Sequence, residues 1–500
     1  MPTTLLPLAS QVVAGPPQGE RISAVGGPGA ARPGRRSAAP APAAITAVLA
    51  RKAGRAGALA LGTMVALTSY AATAAPPAAD DDALDLQARP DAAASSATPS
   101  AANAAGASAA TGTTDLKLFF ELAALRAEPQ ASQGGPGSTD GRRASIDLRW
   151  SRKLSDAWRF GLSDRLDDIH PVLTGQRSTR NSLREAYFAW QGDGQFAGAG
   201  SAALEVGRLN VRHGPAYGYS PTDYFRTGAT RTVVSADPVA LRENRVGTFM
   251  LQGSQQWAGA GVSAAWAPQL THDAPSSQAF TLDLGATNAS HRVLLAANGR
   301  ASDRWSGEAL LLMGQHASPR LGLNLTGLLT DAAVLHAEWS TMRSANLLNT
   351  SLGQAGPERR VQQASVGITY ALPTGLSLTA EAEYNGAGLS RAGWATLFAQ
   401  GPVAVARFFG ATQASQELAS RSALLLYATQ KGAFTKQLDL TAFVRHSAVD
   451  HSHLAWAEAR YHWPRFDLAL QAQRSSAGGP TEYGALPYRQ VVQLVGYLYF

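Results

Sequence analysis

Residues 207–247 contain the largest group of side chains in this sequence that could bind a ligand. The segment reads GRLNVRHGPAYGYSPTDYFRTGATRTVVSADPVALRENRVG. Clustered arginines favour anions, and the Pro and Gly residues between them predict turns. The alternative is that the arginines pair with acids of the same segment and fix it in place, and both can hold together. The candidate ligand-binding residues are Arg212, Arg226, Arg231, Arg242, Arg245, Tyr224 and Asp223.

Two other groups of residues could carry out catalysis, but neither pattern is complete. Glu381 and Glu383 would share one face of a strand, roughly 6–7 Å apart. That separation suits an inverting glycosidase, although alternate acids are also ordinary on a polar strand face. Residues 449–453, VDHSH, could supply a His/Asp dyad or metal ligands, but no third ligand or nucleophile can be assigned. We therefore predict no catalytic residue, no metal site and no cofactor.

The elements that position these residues are strands, because apolar and polar side chains alternate from Asp115 onward. In 376–385, LSLTAEAEYN, one face is apolar and the other is polar. Many of the predicted strands carry charges of both signs on the polar face, more than a packed core could hold. We therefore expect this face to line a water-filled lumen. The predicted lumen residues are Arg149, Arg159, Arg165, Glu381, Glu383, Arg445 and Arg460.

These strands predict an all-β protein, a transmembrane antiparallel β-barrel. Their length of about 10 residues is what a tilted strand needs to cross a bilayer. Tight turns alternate with long connections, and in lipid the sheet has to close. The count is about 18 strands, with 16–18 acceptable, and 278–286 is assigned to a loop. The predicted strands are 115–127, 142–153, 157–168, 182–192, 201–212, 244–257, 260–269, 291–300, 305–315, 320–330, 333–342, 359–371, 375–386, 419–430, 435–446, 453–463, 466–474 and 488–500.

Aromatic residues near the predicted strand ends favour a membrane barrel over a soluble one. Outer-membrane barrels carry a girdle of aromatic side chains at each interface, although a soluble barrel could place some of them there too. The tryptophans concerned are Trp158, Trp190, Trp257, Trp305, Trp339 and Trp463.

The N-terminal region reads as an export signal rather than as a fold. Residues 48–74 carry a basic stretch, a short apolar run and the triplet Ala72-Thr73-Ala74, the order of a secretory signal peptide. We expect 1–47 to be a disordered extension or to precede the true start of translation. Low complexity predicts a disordered linker at 75–114, which leaves 115–500 for the barrel. Of the net charge of +7, residues 1–74 supply +6, so no nucleic-acid partner is indicated.

The signal peptide, the even strand number and the terminal aromatic residue resemble outer-membrane β-barrels of the porin type. The last strand, YRQVVQLVGYLYF, places Phe500, Leu498 and Leu494 on alternate positions, similar to the C-terminal signal that the barrel-assembly machinery reads. It departs from the usual pattern at Leu498, where an aromatic residue is common, and at Gly496, where an apolar side chain is common. The words "SPTDYFR … DPVALRENRVG" also look like a motif of porin-like and alginate-export-type proteins.

The resemblance implies that the third external loop, here 213–243, folds into the barrel and narrows it. We expect a channel in the cell outer membrane of a Gram-negative bacterium for passive diffusion of small hydrophilic, anionic solutes. Polysaccharide export is the alternative, and a surface enzyme or adhesin is a further one. Expected partners are outer-membrane lipid, lipopolysaccharide, the barrel-assembly machinery and the solute. The oligomeric state stays open.

Overall fold

A closed sheet of eighteen strands makes up the fold. The computed structural model describes residues 114–130, 137–171, 177–193, 200–315, 317–476 and 478–500. Within them, each strand pairs antiparallel with its neighbours in sequence, and β1 also pairs with β18, which closes the barrel. The predicted extension 1–47, signal peptide 48–74 and, except for its last residue, linker 75–114 lie outside the described residues and stay predictions.

The prediction of an 18-stranded barrel is confirmed. Most strand bounds agree closely with those expected from alternation. The strands are β1 Thr114–Pro129, β2 Thr139–Lys153, β3 Trp158–His170, β4 Thr179–Asp193, β5 Ser201–Leu209, β6 Thr248–Trp257, β7 Ala260–Ala267, β8 Arg292–Ser302, β9 Trp305–Gly314, β10 Ala317–Thr330, β11 Ala333–Ser344, β12 Arg359–Ala371, β13 Leu376–Asn385, β14 Ser422–Gln430, β15 Leu438–Ser447, β16 His453–His462, β17 Phe466–Ser475 and β18 Tyr488–Tyr499.

The two faces of the sheet are inverted relative to a water-soluble protein. In β13 the polar side chains of Glu381 and Glu383 are buried, whereas Ala382 and Tyr384 between and beside them are exposed. A polar side chain is buried only where other polar groups meet it, so this polar face must be packed against polar structure. Most other strands follow the same rule, although β8, β9 and β14 also bury apolar side chains on this face, such as Leu294, Leu310 and Leu425. We refer below to the polar face and the apolar face of the barrel.

Connections at one end of the barrel are tight and those at the other end are mostly long, as predicted. Tight turns include 154–157, 258–259, 303–304, 331–332, 372–375 and 463–465. Long connections are 210–247, 268–291, 345–358, 386–421 and 476–487. The stretch 278–286 is not a strand, which agrees with the prediction.

Five helices lie in the long connections. They are α1 Pro238–Glu243, α2 Leu284–Thr287, α3 Leu347–Leu352, α4 Arg391–Ala399 and α5 Pro402–Ser415. α4 and α5 pack Trp394, Leu397 and Phe408 into one buried apolar cluster. None of the helices in the described residues is long and apolar enough to cross a membrane.

Two expectations about strand ends were wrong. β5 ends at Leu209 and β6 begins at Thr248, so the predicted strand ends at 210–212 and 244–247 belong to the connection. The chain leaves the sheet here because Asn210 N donates to the Glu185 carboxylate, 3.3 Å away, instead of to a neighbouring strand. Trp339 lies in the middle of β11. The other five tryptophans that were predicted near strand ends do lie there.

Candidate functional site

Segment 210–247, which joins β5 to β6, is the candidate site. Its backbone is irregular except for α1, whose N-cap is Asp237. Hydrogen bonds from the segment reach side chains of β9, β10, β11 and β13, and side chains of β14 and β15 donate hydrogen bonds to it. These strands lie well around the barrel from β5 and β6, and in each case the contact is made on the polar face. A short connection between adjacent strands would touch its own neighbours alone, so this segment is held by long-range contacts.

Glu338 of β11 is the first of two carboxylates that hold the backbone of the segment. It accepts hydrogen bonds from Ala216 N at 2.6 Å, from Ser220 Oγ at 2.8 Å and from Thr222 Oγ1 at 2.9 Å. Gly214 lies so close that a Cβ there would come within 2.3 Å of the carboxylate, and its φ of +86° also favours glycine. Hydrogen bonds to an ionised acceptor are stronger than neutral ones, so this is a firm anchor.

Glu381 of β13 is the second anchor. Its two oxygens accept from Tyr217 N at 2.6 Å and Gly218 N at 2.8 Å, and His336 Nε2 lies 2.7 Å from one of them. Glu383, two residues on, pairs with Arg445 of β15, whose Nη2 is 2.6 Å from the carboxylate. The two glutamates therefore fix the segment and a neighbouring arginine. This arrangement leaves no pair of carboxylates facing a bond to be cleaved.

Asp223 forms the charged centre of the segment. Arg245 donates to its carboxylate and Arg242 Nε lies 3.8 Å away. Burial alone would raise the pKa of Asp223, but the two arginines hold that pKa below its usual value. The Tyr224 hydroxyl lies 3.0 Å from Ser340 Oγ of β11. All of these side chains except Arg242 are buried, so they shape the segment from within.

Arg226 joins the segment to the long connection that carries α4 and α5. Its Nη2 donates to Glu417 at 2.7 Å, and its guanidinium lies 5.0 Å from the centre of the Tyr219 ring. Tyr219 donates its own hydroxyl to Glu417 at 2.7 Å. Burial opposes ionisation of Glu417, but Arg226 and Tyr219 lower its pKa below the usual value. The segment is thus covered on one side by connection 386–421.

Arg231 and Arg242, two more of the predicted arginines, also bind protein groups. Arg231 pairs with Asp283 at 3.0 Å in connection 268–291. Arg242 donates to the carbonyls of Ala216 at 2.7 Å and Gly214 at 3.0 Å. The reading in which arginines tie the segment in place therefore describes most of the predicted set.

Arg212 and Arg242 keep part of their surface exposed, whereas the side chains of Arg226, Arg231 and Arg245 are 4–7% exposed. Burial lowers the pKa of Arg212, and Arg242 nearby acts in the same direction. Arg149 of β2 keeps 34% of its side chain exposed. Arg149 and Arg212 both interact with the carboxylate of Glu243. Burial raises the pKa of Glu243, against the effect of Arg149 and Arg212. Arg149, Arg212 and Arg242 thus keep exposed surface close to Glu243.

The remaining predicted lumen residues lie on the polar face as expected. Arg165 of β3 is buried and pairs with Glu121 at 3.0 Å and Asp167 at 2.8 Å. Arg460 pairs with Glu458 at 3.0 Å, and Arg159 is half-buried. Whether any of these residues binds a solute stays a prediction.

At the C-terminus, the predicted assembly signal lies on the apolar face. Leu494, Leu498 and Phe500 are exposed, and Tyr497 on the other face is buried. The missing side chain at Gly496 leaves room for the Phe466 ring, which a Cβ would approach to 3.3 Å. The leucines are therefore on the side that lipid would contact, and recognition by an assembly machinery stays a prediction.

Asp237, Glu338, Glu417 and Asp283 were not in the predicted site. Glu338 was expected only as one of many acids on the polar face, and Asp237 only as one of the acids of the segment. Glu417 and Asp283 gave no signal in a single sequence. Asp237 accepts from Val239 N, Ala240 N and, at 3.2 Å, the Tyr427 hydroxyl. Burial raises the pKa of Asp237 to about 6. Among the described residues, no group of three or more His, Cys, Asp or Glu side chains could hold a metal ion.

With the geometry described, the pairing of all eighteen strands decides the fold. It is a closed, antiparallel 18-stranded β-barrel. Comparison with solved structures finds OccD3 (OpdP) of Pseudomonas aeruginosa at 11% identity, covering 77% of this chain and 91% of that one, with a TM-score of 0.45. OccAB1 of Acinetobacter baumannii is 10% identical over 77% and 96%, with a TM-score of 0.48. A BenF-like porin from Pseudomonas fluorescens Pf-5 is 10% identical over 77% and 98%, with a TM-score of 0.46.

No family model and no curated protein sequence matches the chain. What this barrel does therefore has to be argued from its own residues.

Proposed function

We propose that this chain is an outer-membrane porin, a channel for passive and selective diffusion of small hydrophilic solutes. The observation that carries the proposal is the reach of segment 210–247. It contacts the polar face of strands far apart in a closed barrel, and such a segment can touch them all only from inside. We infer that it is the inward-folded third loop and that it narrows a polar lumen.

The apolar face supports a location in the membrane. Every strand pairs with two neighbouring strands, as a sheet that spans lipid requires. Large apolar side chains stay exposed along the wall, far more than a soluble surface carries in one band. They include Leu116, Leu122, Phe188, Val206, Leu251, Leu295, Leu323, Val366, Ile368, Leu426, Val444 and Leu470.

A preference for anionic solutes rests on the three arginines that keep exposed surface. Arg149, Arg212 and Arg242 approach one part of the lumen, while the acid beside them, Glu243, has its pKa raised by burial. Falling pH therefore removes negative charge there and leaves the arginines charged. We propose that a carboxylate-bearing solute passes this point, and that the buried Arg226, Arg231 and Arg245 keep the segment in position.

Planar-bilayer recording tests both halves of the proposal. The wild-type protein should conduct, and the double variant Arg149→Ala, Arg212→Ala should shift the reversal potential in a salt gradient toward cations. Arg407→Ala, which removes an exposed arginine on α5, is the matched control and should leave the potential unchanged. Absence of conductance refutes the channel, and a double variant that behaves like the control refutes the role of these arginines.

Polysaccharide export, the alternative from the sequence, fits the geometry less well. A polymer needs a continuous path, and segment 210–247 is fixed to several walls of the space it would thread. Enzymatic activity has no support in the site, since the paired glutamates serve as anchors. Partners such as lipopolysaccharide and the barrel-assembly machinery stay expectations of the proposal.

A further inference from the structure

The strands that form the barrel wall are short where β5, β6 and β7 meet the long connections. β4 pairs with β3 from Thr179 onward, but it pairs with β5 only from Ala186 onward. Over residues 179–185, the edge of β4 that faces β5 therefore has no strand beside it. β7 has 8 residues and β5 has 9, at or below the roughly 9–11 that cross a bilayer. This leaves a notch in the wall beside β4.

Residues 276–283, which we call the panel, cover the notch. Ala279 O accepts a hydrogen bond from Asn181 N of β4 at 2.8 Å, so the panel lies in the place of the missing strand. Phe280 is 68% exposed and Leu282 is 46% exposed, while Thr281 and Asp283 between and beside them are partly buried. The panel therefore alternates like a wall strand and turns apolar side chains toward the apolar face.

Arginine side chains, rather than a ladder of backbone bonds, hold the panel. Arg208 Nη1 of β5 donates to Leu282 O at 2.6 Å. Arg231 donates to Ser276 O at 3.2 Å, to Gln278 O and to the Asp283 carboxylate at 3.0 Å. In the described residues, Asn181 N to Ala279 O is the one backbone bond between the panel and β4. Moving the panel would therefore break few backbone bonds.

Two buried donors behind the panel lack an acceptor. Arg208 is fully buried, yet its Nη2 has no hydrogen-bond partner in the described part of the chain, and the same holds for Arg231 Nε. Buried charged donors without acceptors are costly, so this place favours a ligand that brings oxygen atoms. A carboxylate could replace the Asp283 carboxylate and the Leu282 carbonyl if the panel moved outward.

We propose that the panel opens sideways and admits a carboxylate-bearing amphiphile between the lumen and the bilayer. Arg208 and Arg231 bind the head group, and the apolar chain of the ligand takes the place of Phe280 and Leu282 against lipid. This goes beyond diffusion of hydrophilic solutes along the lumen. It rests on the proposed function only in that the barrel has to lie in a membrane.

A disulfide staple tests the opening, because the chain contains no cysteine. The double variant Asn181→Cys, Ala279→Cys would join the panel to β4 when oxidised. The probe is dodecanoate carrying a photoreactive diazirine, added to lipid vesicles that contain the full-length protein. Labelled peptides are then mapped by mass spectrometry. We expect labelling of β5 and of connection 268–291 in the reduced protein and about tenfold less in the oxidised protein.

Arg208→Gln provides a second test, with Arg407→Gln as the exposed arginine control. Labelling of the same peptides should fall about tenfold in the first variant and not in the second, because the charge-assisted hydrogen bonds to the head group are lost. Diazirine-bearing dodecanol, which lacks the carboxylate, should label the apolar face equally in all variants. Equal dodecanoate labelling of the oxidised and reduced staple overturns the proposal, as does equal labelling of the two arginine variants.

Conductance of the same samples separates this inference from the proposed function. The oxidised and reduced staple should conduct alike, because the lumen is unchanged. Absent conductance in every sample counts against the porin, whereas normal conductance with unchanged labelling counts against the panel alone.

Discussion

Replacing Glu338 with alanine should release segment 210–247 from the barrel wall. The carboxylate accepts hydrogen bonds from Ala216 N, Ser220 Oγ and Thr222 Oγ1, with Thr222 N at 3.4 Å. Each hydrogen bond to a charged group contributes about 1.5–3 kcal/mol. The freed donors regain water in a wet lumen, so we take the net loss as about 3 kcal/mol, near the value for one or two of these bonds. That loss raises the population of the released segment about a hundredfold.

Single-channel recording measures this directly. Release of the segment that we propose to narrow the lumen should raise the mean conductance and add fluctuations between two levels. Glu338→Gln keeps a carbonyl acceptor but loses the charge, so it should give an intermediate result. The temperature of thermal unfolding, measured from the change in electrophoretic mobility of heated samples, should fall in the order wild type, Glu338→Gln, Glu338→Ala.

The matched control is Glu128→Ala on β1. That carboxylate is 49% exposed and lies 3.7 Å from Arg489, away from segment 210–247. Its removal should change neither conductance nor stability, since exposed ion pairs contribute little. If Glu338→Ala conducts and unfolds like Glu128→Ala, the carboxylate does not anchor the segment and the narrowing loses its main support.

Two further predictions concern the same segment. Arg226→Ala or Glu417→Ala alone should destabilise the barrel by about 3–5 kcal/mol, because each leaves a buried charge without its partner. In thermal unfolding, the double variant should lose less stability than the sum of the two single losses. The pKa of Asp237 is raised to about 6, so its neutral form is favoured in the fold. Protonated Asp237 therefore stabilises the folded segment at low pH, and this contribution to stability is lost as the pH rises through about 6. Current fluctuations should increase from pH 5 to 7 in the wild type and stay level in Asp237→Asn, and an equal increase in both would exclude Asp237 as the cause.

The strands were predictable because their signal is local. Alternation of apolar and polar residues is visible within 10 residues, and the tight turns follow from short stretches such as 372–375. The order of tight and long connections kept 278–286 out of the strand count, although residues 279–283 of the panel do alternate. Local alternation failed at 210–212, because the partner that draws Asn210 out of the sheet is a side chain of β4.

The contacts of the site were not predictable in the same way. Ala216 and Glu338 meet across 122 positions, and Arg226 and Glu417 across 191. Nothing in the surrounding sequence marks Glu338 apart from the other acids of the polar face. Composition did suggest that segment 207–247 was special, but whether an arginine faces solvent or an acid depends on the register of strands elsewhere in the barrel.

The pairing of β1 with β18 has a consequence for how the protein is made. Phe119 lies opposite Tyr499, and the final N–H, that of Phe500, donates to Leu118 O at 3.0 Å. Bringing together chain ends some 380 residues apart costs about 5 kcal/mol in chain entropy, a cost met only when the last strand is present. β18 must therefore be synthesised before the second edge of β1 can be paired. Until then the two edge strands of the sheet have unpaired backbone N–H and C=O groups, and another molecule has to keep these edges from pairing with a neighbouring chain.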